Sequence, residues 1–115
     1  MVSISSLGSH MVMPVYTSVG VSKAALEALT RYLAIELAPK GICVNGVAAG
    51  AVESEALKLY TGEIPLMSVK KTPAGRMVLP EDIANVVAFL CSDEAYMIRG
   101  QIITIDGGFS IAPIA

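Results

Sequence analysis

A chain of 115 residues and 12.0 kDa has the size of one domain. Its net charge of −2 and its pI near 5.2 give no electrostatic reason to expect binding to nucleic acid or to an anionic membrane. More than half of the residues are hydrophobic (54%), yet only two are Phe and none is Trp, so aliphatic side chains must form the core, as is typical of a layered α/β protein.

The first third of the chain predicts a strand, a loop and a long helix. Residues 1–6 form a short strand that ends in hydroxyl groups, and residues 7–15 form a loop. Residues 17–38 have a helical pattern, because leucines recur near the 3.6-residue period (Leu26, Leu29, Leu33 and Leu37). Pro39 and Gly41 predict the end of this helix.

Two local signals support the long helix. Thr17 or Ser18 is expected to cap its first turn with a side-chain oxygen. Glu27 and Arg31 are four residues apart and are spaced to form an ion pair on the helix surface.

The rest of the chain continues the alternation of strands and helices. A mostly apolar strand is predicted at residues 41–47, with an exit loop at 48–52. Residues 53–78 are irregular, residues 80–92 predict a second amphipathic helix, and residues 100–108 predict a last strand. Apolar strands that alternate with helices indicate parallel pairing with right-handed crossovers, and helices on both faces of the sheet.

A glycine-rich loop for phosphate binding does not occur in the sequence. A doubly wound nucleotide-binding fold places that loop in its first βαβ half. The α/β pattern therefore predicts the C-terminal half of a doubly wound, parallel-sheet fold of the Rossmann type, and residues 1–115 are interpreted as part of one domain.

The cysteines and the apolar runs indicate a cytoplasmic protein. Cys43 and Cys91 lack the spacing of metal ligands, so we expect two buried free thiols in a reducing cytosol and no metal site. No apolar run reaches the roughly 18 residues needed to span a bilayer. The N-terminus lacks the charged and apolar regions of a signal peptide.

Tyr16 and Lys23 stand seven residues apart where the long helix begins. In a continuous helix they would lie about 10 Å apart along the axis and on nearly the same face. Spacing alone favours a simple interpretation, in which Tyr16 marks the helix entrance and Lys23 is a solvated cation.

Three segments, however, resemble the short-chain dehydrogenase/reductase family. "SISSLGS" is similar to the family's strand that ends at a catalytic serine, which is Ser6 in this chain. "YTSVGVSKAALEALTRYLAIELAPKGICVNGVAAGAV" is similar to the active-site helix and the strand that follows it. "GRMVLPEDIANVVAFLCSDEAYMIRGQIITIDGGFS" is similar to the C-terminal part of the family. The resemblance covers nearly the whole chain.

One departure from the family pattern points to a particular branch. The usual pattern is Tyr-x-x-x-Lys, but Val19 stands four residues before Lys23 and cannot donate a proton. Tyr16 gives Tyr-x6-Lys instead, which resembles the enoyl-acyl-carrier-protein reductases. "SISSLG", "TSVGVSKAALEALTRYLAIEL" and "TPAGRMV" are most similar to the FabL type, enoyl reductase III.

This resemblance implies a set of catalytic roles. Tyr16 would donate to the thioester oxygen of the substrate, and Lys23 would bind the nicotinamide ribose. A nearby ammonium also favours proton delivery from the phenol. Ser6 is implied as an active-site neighbour with a smaller role. The implied cofactor is NADPH, with NADH as the alternative.

Further contacts are implied after the second strand. Gly50, which follows Ala49 where the family usually has Pro-Gly, permits close backbone approach to the nicotinamide ring. Val52 and Ser54 are further implied cofactor contacts. Residues 51–78 match the family's substrate-binding loop in position, and two of their side chains are expected to contact the acyl chain (Leu57 and Tyr60).

The resemblance also implies partners and leaves alternatives open. The substrate would be an enoyl thioester on acyl carrier protein, and a basic cluster could meet that acidic carrier (Lys70, Lys71 and Arg76). Homo-oligomers, tetramers or dimers, would pack through the long helix. The alternatives are a short-chain reductase that acts on a ketone or alcohol, such as a 3-ketoacyl reductase, and a non-catalytic remnant of such an enzyme.

Overall fold

The computed structural model describes residues 1–52 and 72–112. Within them, strands and α-helices alternate as the sequence predicts, and short 3₁₀ turns follow several of them. In the part of the chain that the structure describes, the five main elements are β1 (Val2–Ser6), α1 (Thr17–Glu36), β2 (Asn45–Ala49), α2 (Pro80–Leu90) and β3 (Ile102–Ile105).

The three strands form one parallel sheet in the order β1-β2-β3, which confirms the predicted parallel pairing. Ile4 lies opposite Val47, and Val47 lies opposite Ile103. The central strand carries the core, because Val47 and Ala48 are almost completely buried. β1 lies at an edge of this sheet, and Ile4 on it is 48% exposed. The architecture is the α/β class that the sequence predicts.

The second strand begins and ends later than predicted. Gly41 has a φ of +74° and closes the turn that follows α1, so the chain is not yet extended where the predicted strand would begin. The ladder starts at Asn45, whose N–H donates to Met1, and it continues to Ala49, which pairs with Ser6.

The last strand is shorter than predicted for a related reason. It ends at Ile105, and the two glycines that follow shortly after have φ values of +64° and +90° (Gly107 and Gly108). These left-handed conformations turn the chain out of the sheet.

The predicted helix cap and the predicted burial of the cysteines were wrong. The residue that caps α1 is Tyr16, and no side-chain oxygen bonds the first turn, so neither Thr17 nor Ser18 acts as the cap. Both cysteines are free, as expected, but neither is buried: Cys43 is half-buried, and Cys91, the residue that follows α2, is exposed.

No helix among residues 1–52 and 72–112 is long and apolar enough to cross a membrane. Over the same residues, no group of three His, Cys, Asp or Glu side chains could hold a metal ion.

Arg76 is part of an ion pair at the start of α2. Its guanidinium donates to both carboxylate oxygens of Asp82, at 2.6 and 2.9 Å, and Asp82 also accepts from the N–H of Leu79 at 2.8 Å. These bonds from Arg76 and from Leu79 hold the pKa of Asp82 well below its usual value. Arg76 thus holds the start of α2 through Asp82. Lys70 and Lys71, which the sequence grouped with Arg76 in a basic cluster, lie outside the described residues.

This pair predicts a loss of stability in acid. A carboxyl group whose pKa is lower in the folded than in the unfolded chain stabilises the fold above its unfolded pKa of about 4, and that contribution is lost as the pH falls. We therefore expect the urea concentration at the unfolding midpoint to decrease as the pH is lowered from about 6 to about 3. This decrease should be smaller in Asp82→Asn. Glu81→Gln, on the neighbouring exposed residue, is the control and should follow the wild type. The difference in urea midpoint between the wild type and Asp82→Asn should be small, because exposed ion pairs contribute little to the free energy of unfolding.

Candidate active site

Ser6 and Tyr16 lie side by side at the carboxyl end of β1. Ser6 is the last residue of the strand, and Tyr16 immediately precedes α1. Their hydroxyl oxygens are 3.2 Å apart, and the Ser6 oxygen also accepts from the N–H of Gly8 at 3.2 Å. The structure therefore brings together a strand-end hydroxyl and a phenol that the sequence separates by ten residues.

Two glycines allow this close arrangement. A Cβ atom on Gly8 would collide with the ring of Tyr16, so the ring packs directly on the backbone of the turn. A Cβ atom on Gly20 would stand 2.6 Å from the carbonyl oxygen of Gly8, so the first turns of α1 also lie against this backbone. The phenol is held between the turn and the helix.

Lys23 lies further along the same face of α1. Its ammonium group donates to the carbonyl oxygen of Ile4 at 2.9 Å, next to the site on β1. The simple interpretation of a fully solvated cation does not fit this contact. Tyr16, Lys23 and Ser6 thus occupy one end of the contact between α1 and β1.

The carboxyl ends of β2 and β3 adjoin each other on the same side of the sheet. The N–H of Gly50 donates to Ile105 at 3.0 Å, and a Cβ atom on Gly50 would stand 3.0 Å from that of Asp106. Val52 forms an isolated parallel bridge with Val78. Three of the predicted contacts lie outside the described residues (Ser54, Leu57 and Tyr60).

Asp106 is a buried carboxylate that the sequence reasoning did not single out. It is 6% exposed and accepts from the backbone N–H groups of Gly108 and Ser110. Burial acts to raise its pKa, but hydrogen bonds from Ser110 and Gly108 prevail and hold the pKa below its usual value. The acidic residue before a glycine pair was the signal that could have identified it. The carboxylate fixes the turn after β3, next to Gly50.

A cavity of about 260 Å³ opens beside Tyr16. It lies between the loop before α1 and the first turns of the helix, and its lining is mainly apolar. The lining includes Gly8, Met11, Met13, Tyr16, Val21 and Ala24. An apolar group bound there would contact Tyr16.

The described residues suit the nicotinamide end of a dinucleotide. Lys23 carries a cation that can bind ribose hydroxyls, and the site lies at the carboxyl ends of parallel strands, where open α/β sheets bind ligands. Gly50 leaves room beside the sheet, because a side chain there would crowd Asp106.

Comparison with known proteins identifies relatives over almost the whole chain. A family model described as "Enoyl-(Acyl carrier protein) reductase" matches residues 1–110. A 1-cyclohexenylcarbonyl-CoA reductase of Streptomyces collinus is 40% identical over 114 residues, and the enoyl-[acyl-carrier-protein] reductase [NADH] FabI of Aquifex aeolicus is 38% identical over 112. A 7alpha-hydroxysteroid dehydrogenase of Escherichia coli is 46% identical over 93 residues. These matches cover 96%, 96% and 80% of this chain, but 41%, 42% and 36% of the relatives.

Solved structures give the same result. A short-chain type dehydrogenase/reductase from Mycobacterium ulcerans superposes with a TM-score of 0.85 at 32% identity, over 96% of this chain and 41% of that one. A 4-hydroxyisoleucine dehydrogenase complexed with NADH gives 0.82 at 31% identity, and ElxO with NADP bound gives 0.81 at 32%. They cover 97% and 96% of this chain, and 46% of each of those. The sequence match and the parallel sheet together show that the chain belongs to the short-chain dehydrogenase/reductase family, in the branch described by the enoyl-acyl-carrier-protein reductase model.

Proposed function

We propose that the chain supplies the catalytic half of an NAD(P)H-dependent reductase of enoyl thioesters on acyl carrier protein, of the FabL type. The observation that carries the proposal is the phenol of Tyr16, placed 3.2 Å from Ser6, while a valine stands four residues before Lys23. A 1-cyclohexenylcarbonyl-CoA reductase and the FabI enzymes among the relatives support the same reaction class.

Tyr16 would act on the charge that forms during reduction. The nicotinamide, when bound, supplies hydride to the β-carbon of the enoyl group, and negative charge then moves to the thioester oxygen. A phenol O–H directed at that oxygen stabilises the charge where it develops. Ser6 can accept the phenol hydrogen or donate to the phenol oxygen, so it would orient Tyr16 in the resting enzyme.

Lys23 would hold the ribose and assist Tyr16 electrostatically. Its ammonium group has three hydrogen atoms, of which the bond to Ile4 uses one, so two remain for ribose hydroxyls. We propose NADPH as the cofactor and NADH as the alternative, because the structural neighbours contain both and the FabI relatives are described with NADH. Gly50, Val52 and Ser54 are proposed as further cofactor contacts.

Residues 51–78 are proposed as the substrate-binding loop, with Leu57 and Tyr60 against the acyl chain. The apolar cavity beside Tyr16 supports an acyl substrate, since its lining would suit a hydrocarbon chain better than a charged group. We place the enzyme in the cytoplasm because both cysteines are free thiols.

The long helix is also proposed as an oligomer contact, in a dimer or tetramer. Four large side chains on its face away from β1 are between 50% and 75% exposed (Val21, Leu29, Tyr32 and Ile35). An exposed apolar stripe of this kind favours burial against a second helix.

The second candidate is a dehydrogenase of a ketone or alcohol, which the hydroxysteroid dehydrogenase among the relatives favours. A paired assay separates the two functions. The complete enzyme, with a nucleotide-binding half supplied, is given an enoyl thioester and the matching 3-ketoacyl thioester, and the oxidation of NADPH is followed. We expect turnover of the enoyl substrate only, and turnover of the ketoacyl substrate alone would refute the proposal.

The 115-residue chain alone is expected to bind dinucleotide poorly and to show no reductase activity. Pyrophosphate recognition requires a glycine-rich turn at a helix N-terminus, and this sequence has none. Calorimetry of the folded chain with NADPH tests this, and micromolar affinity would contradict it. The paired assay with a nucleotide-binding half supplied also tests the other alternative, a non-catalytic remnant, because a remnant would stay inactive with both thioesters.

A further inference from the structure

The carboxylate of Glu27 connects three elements around the site. One of its oxygen atoms accepts from the hydroxyl of Ser5 on β1 and from the hydroxyl of Ser9 in the turn after β1, each at 2.7 Å. Ser5 is 4% exposed, so this carboxylate is the partner of a buried hydroxyl. The prediction of an ion pair between Glu27 and Arg31 was wrong, because the Glu27 carboxylate is directed at β1 and at the turn after it instead.

The two serines flank the segment that contacts Tyr16. Residues 6–8 lie between them, and this segment contains the hydroxyl of Ser6 and the backbone of Gly8 on which the Tyr16 ring packs. Because Glu27 is fixed in α1, it sets the position of both ends of the segment relative to the helix that follows Tyr16.

We propose that Glu27 is a positioning residue, which holds residues 6–8 so that the Ser6 hydroxyl meets the Tyr16 phenol. Its importance for catalysis rests on the proposed function, in which that phenol is the proton donor. A carboxylate suits the task because it only accepts, and bonds from hydroxyls to a charged acceptor are stronger than those between neutral groups.

The histidine of the turn extends this network. The Ser9 oxygen lies 3.1 Å from Nδ1 of His10. Since the single hydroxyl hydrogen of Ser9 is donated to Glu27, Nδ1 must carry the hydrogen in that contact. Ser9 therefore connects His10 in the turn to Glu27 on α1 through hydrogen bonds.

The same helix offers a matched control. Thr30, about one turn further along α1, forms a 2.7 Å hydrogen bond with Ser3 on β1. This bond links the same helix to the same strand at the same distance, but it lies away from residues 6–8. Thr30→Val should therefore weaken the contact between α1 and β1 without moving Ser6 or Tyr16.

The test compares Glu27→Ala, Glu27→Gln and Thr30→Val in the 115-residue chain. Amide hydrogen exchange is measured at Gly8, which donates to Ser6, and at Gly46 in the central strand, which reports general loosening. We expect exchange at Gly8, relative to Gly46, to become about tenfold faster in Glu27→Ala, as expected when a local opening loses two hydrogen bonds. The ratio should stay within about twofold of wild type in Thr30→Val. Glu27→Gln, which keeps one acceptor oxygen, should recover most of the protection.

The ¹³Cζ signal of Tyr16 gives a second readout in the same samples. It should shift in Glu27→Ala and stay in place in Thr30→Val. If both variants change the ratio and the signal equally, Glu27 has only a general structural role and the proposal is overturned. If Glu27→Ala does not fold, Ser9→Ala, which removes one of the two bonds to Glu27 together with the contact to His10, is expected to give a smaller change in the same direction, and wild-type behaviour there would also overturn the proposal.

These readouts need neither substrate nor cofactor, so they are independent of the reaction catalysed. Failure of the enoyl reductase assay would leave the positioning of Tyr16 intact, and an unaffected Tyr16 would leave the enoyl reductase proposal intact. In the complete enzyme, Glu27→Ala should lower kcat about tenfold, with little change in the KM for the cofactor.

Discussion

Tyr16→Phe is expected to reduce turnover of an enoyl thioester by about 100- to 1,000-fold in the complete enzyme. The change removes one hydroxyl group, and loss of a single donor to a developing oxyanion typically costs roughly 3–4 kcal/mol. The ring should still pack on Gly8, so the fold and cofactor affinity should be preserved. The measurement is kcat at saturating cofactor, together with the Kd for NADPH.

Lys23→Met provides the contrast. It should lower turnover and weaken cofactor binding as well, because the ammonium is proposed both to bind the ribose and to favour proton release from the phenol. If the two variants lose cofactor affinity equally, the separate roles of Tyr16 and Lys23 are wrong.

Asn45→Ala is expected to lower the free energy of unfolding by roughly 2–4 kcal/mol, since it leaves two backbone groups without partners. The Asn45 side chain is 1% exposed, donates to the carbonyl of Ile98 at 2.8 Å and accepts from the N–H of Gln101 at 3.0 Å. It therefore joins the start of β2 to the segment that leads into β3.

The urea midpoint and slope of the 115-residue chain test this expectation. Asn85→Ala is the matched control, because Asn85 is exposed on α2 and alanine is the better helix former. A loss below about 0.5 kcal/mol in Asn45→Ala, similar to a surface substitution, would contradict the structural role of Asn45.

The sequence was sufficient for the elements whose signals are local. The periodic leucines of α1 and the apolar runs of the strands predicted the helices, the strands and their parallel pairing, and these are confirmed. The bounds of β2 were not predictable in this way. They depend on the turn at Gly41 and on partners more than forty residues away, such as Met1.

In the candidate site, too, the residues with a local sequence signal were predictable and those that depend on tertiary packing were not. The spacing of Tyr16 and Lys23 and the resemblance to the family predicted which residues to examine, and the structure places Ser6 beside the phenol. Glu27 was assigned to a surface pair because an i,i+4 partner was available in the sequence. Its true partners lie in β1 and the turn after it, and only the packing of α1 on the sheet brings them together.

The position of the proton donor is the central claim, and the double variant Tyr16→Phe/Val19→Tyr tests it most directly. It restores the usual four-residue spacing to Lys23 but moves the phenol about 4.5 Å along the helix axis from its present position beside Ser6. The measurement is kcat for the enoyl thioester in the double variant, in Tyr16→Phe and in the wild type, at saturating cofactor. We predict that both variants are reduced alike, by about 100-fold or more. Near-normal turnover in Tyr16→Phe, or recovery in the double variant, would contradict the assignment of Tyr16 and the enoyl reductase function with it.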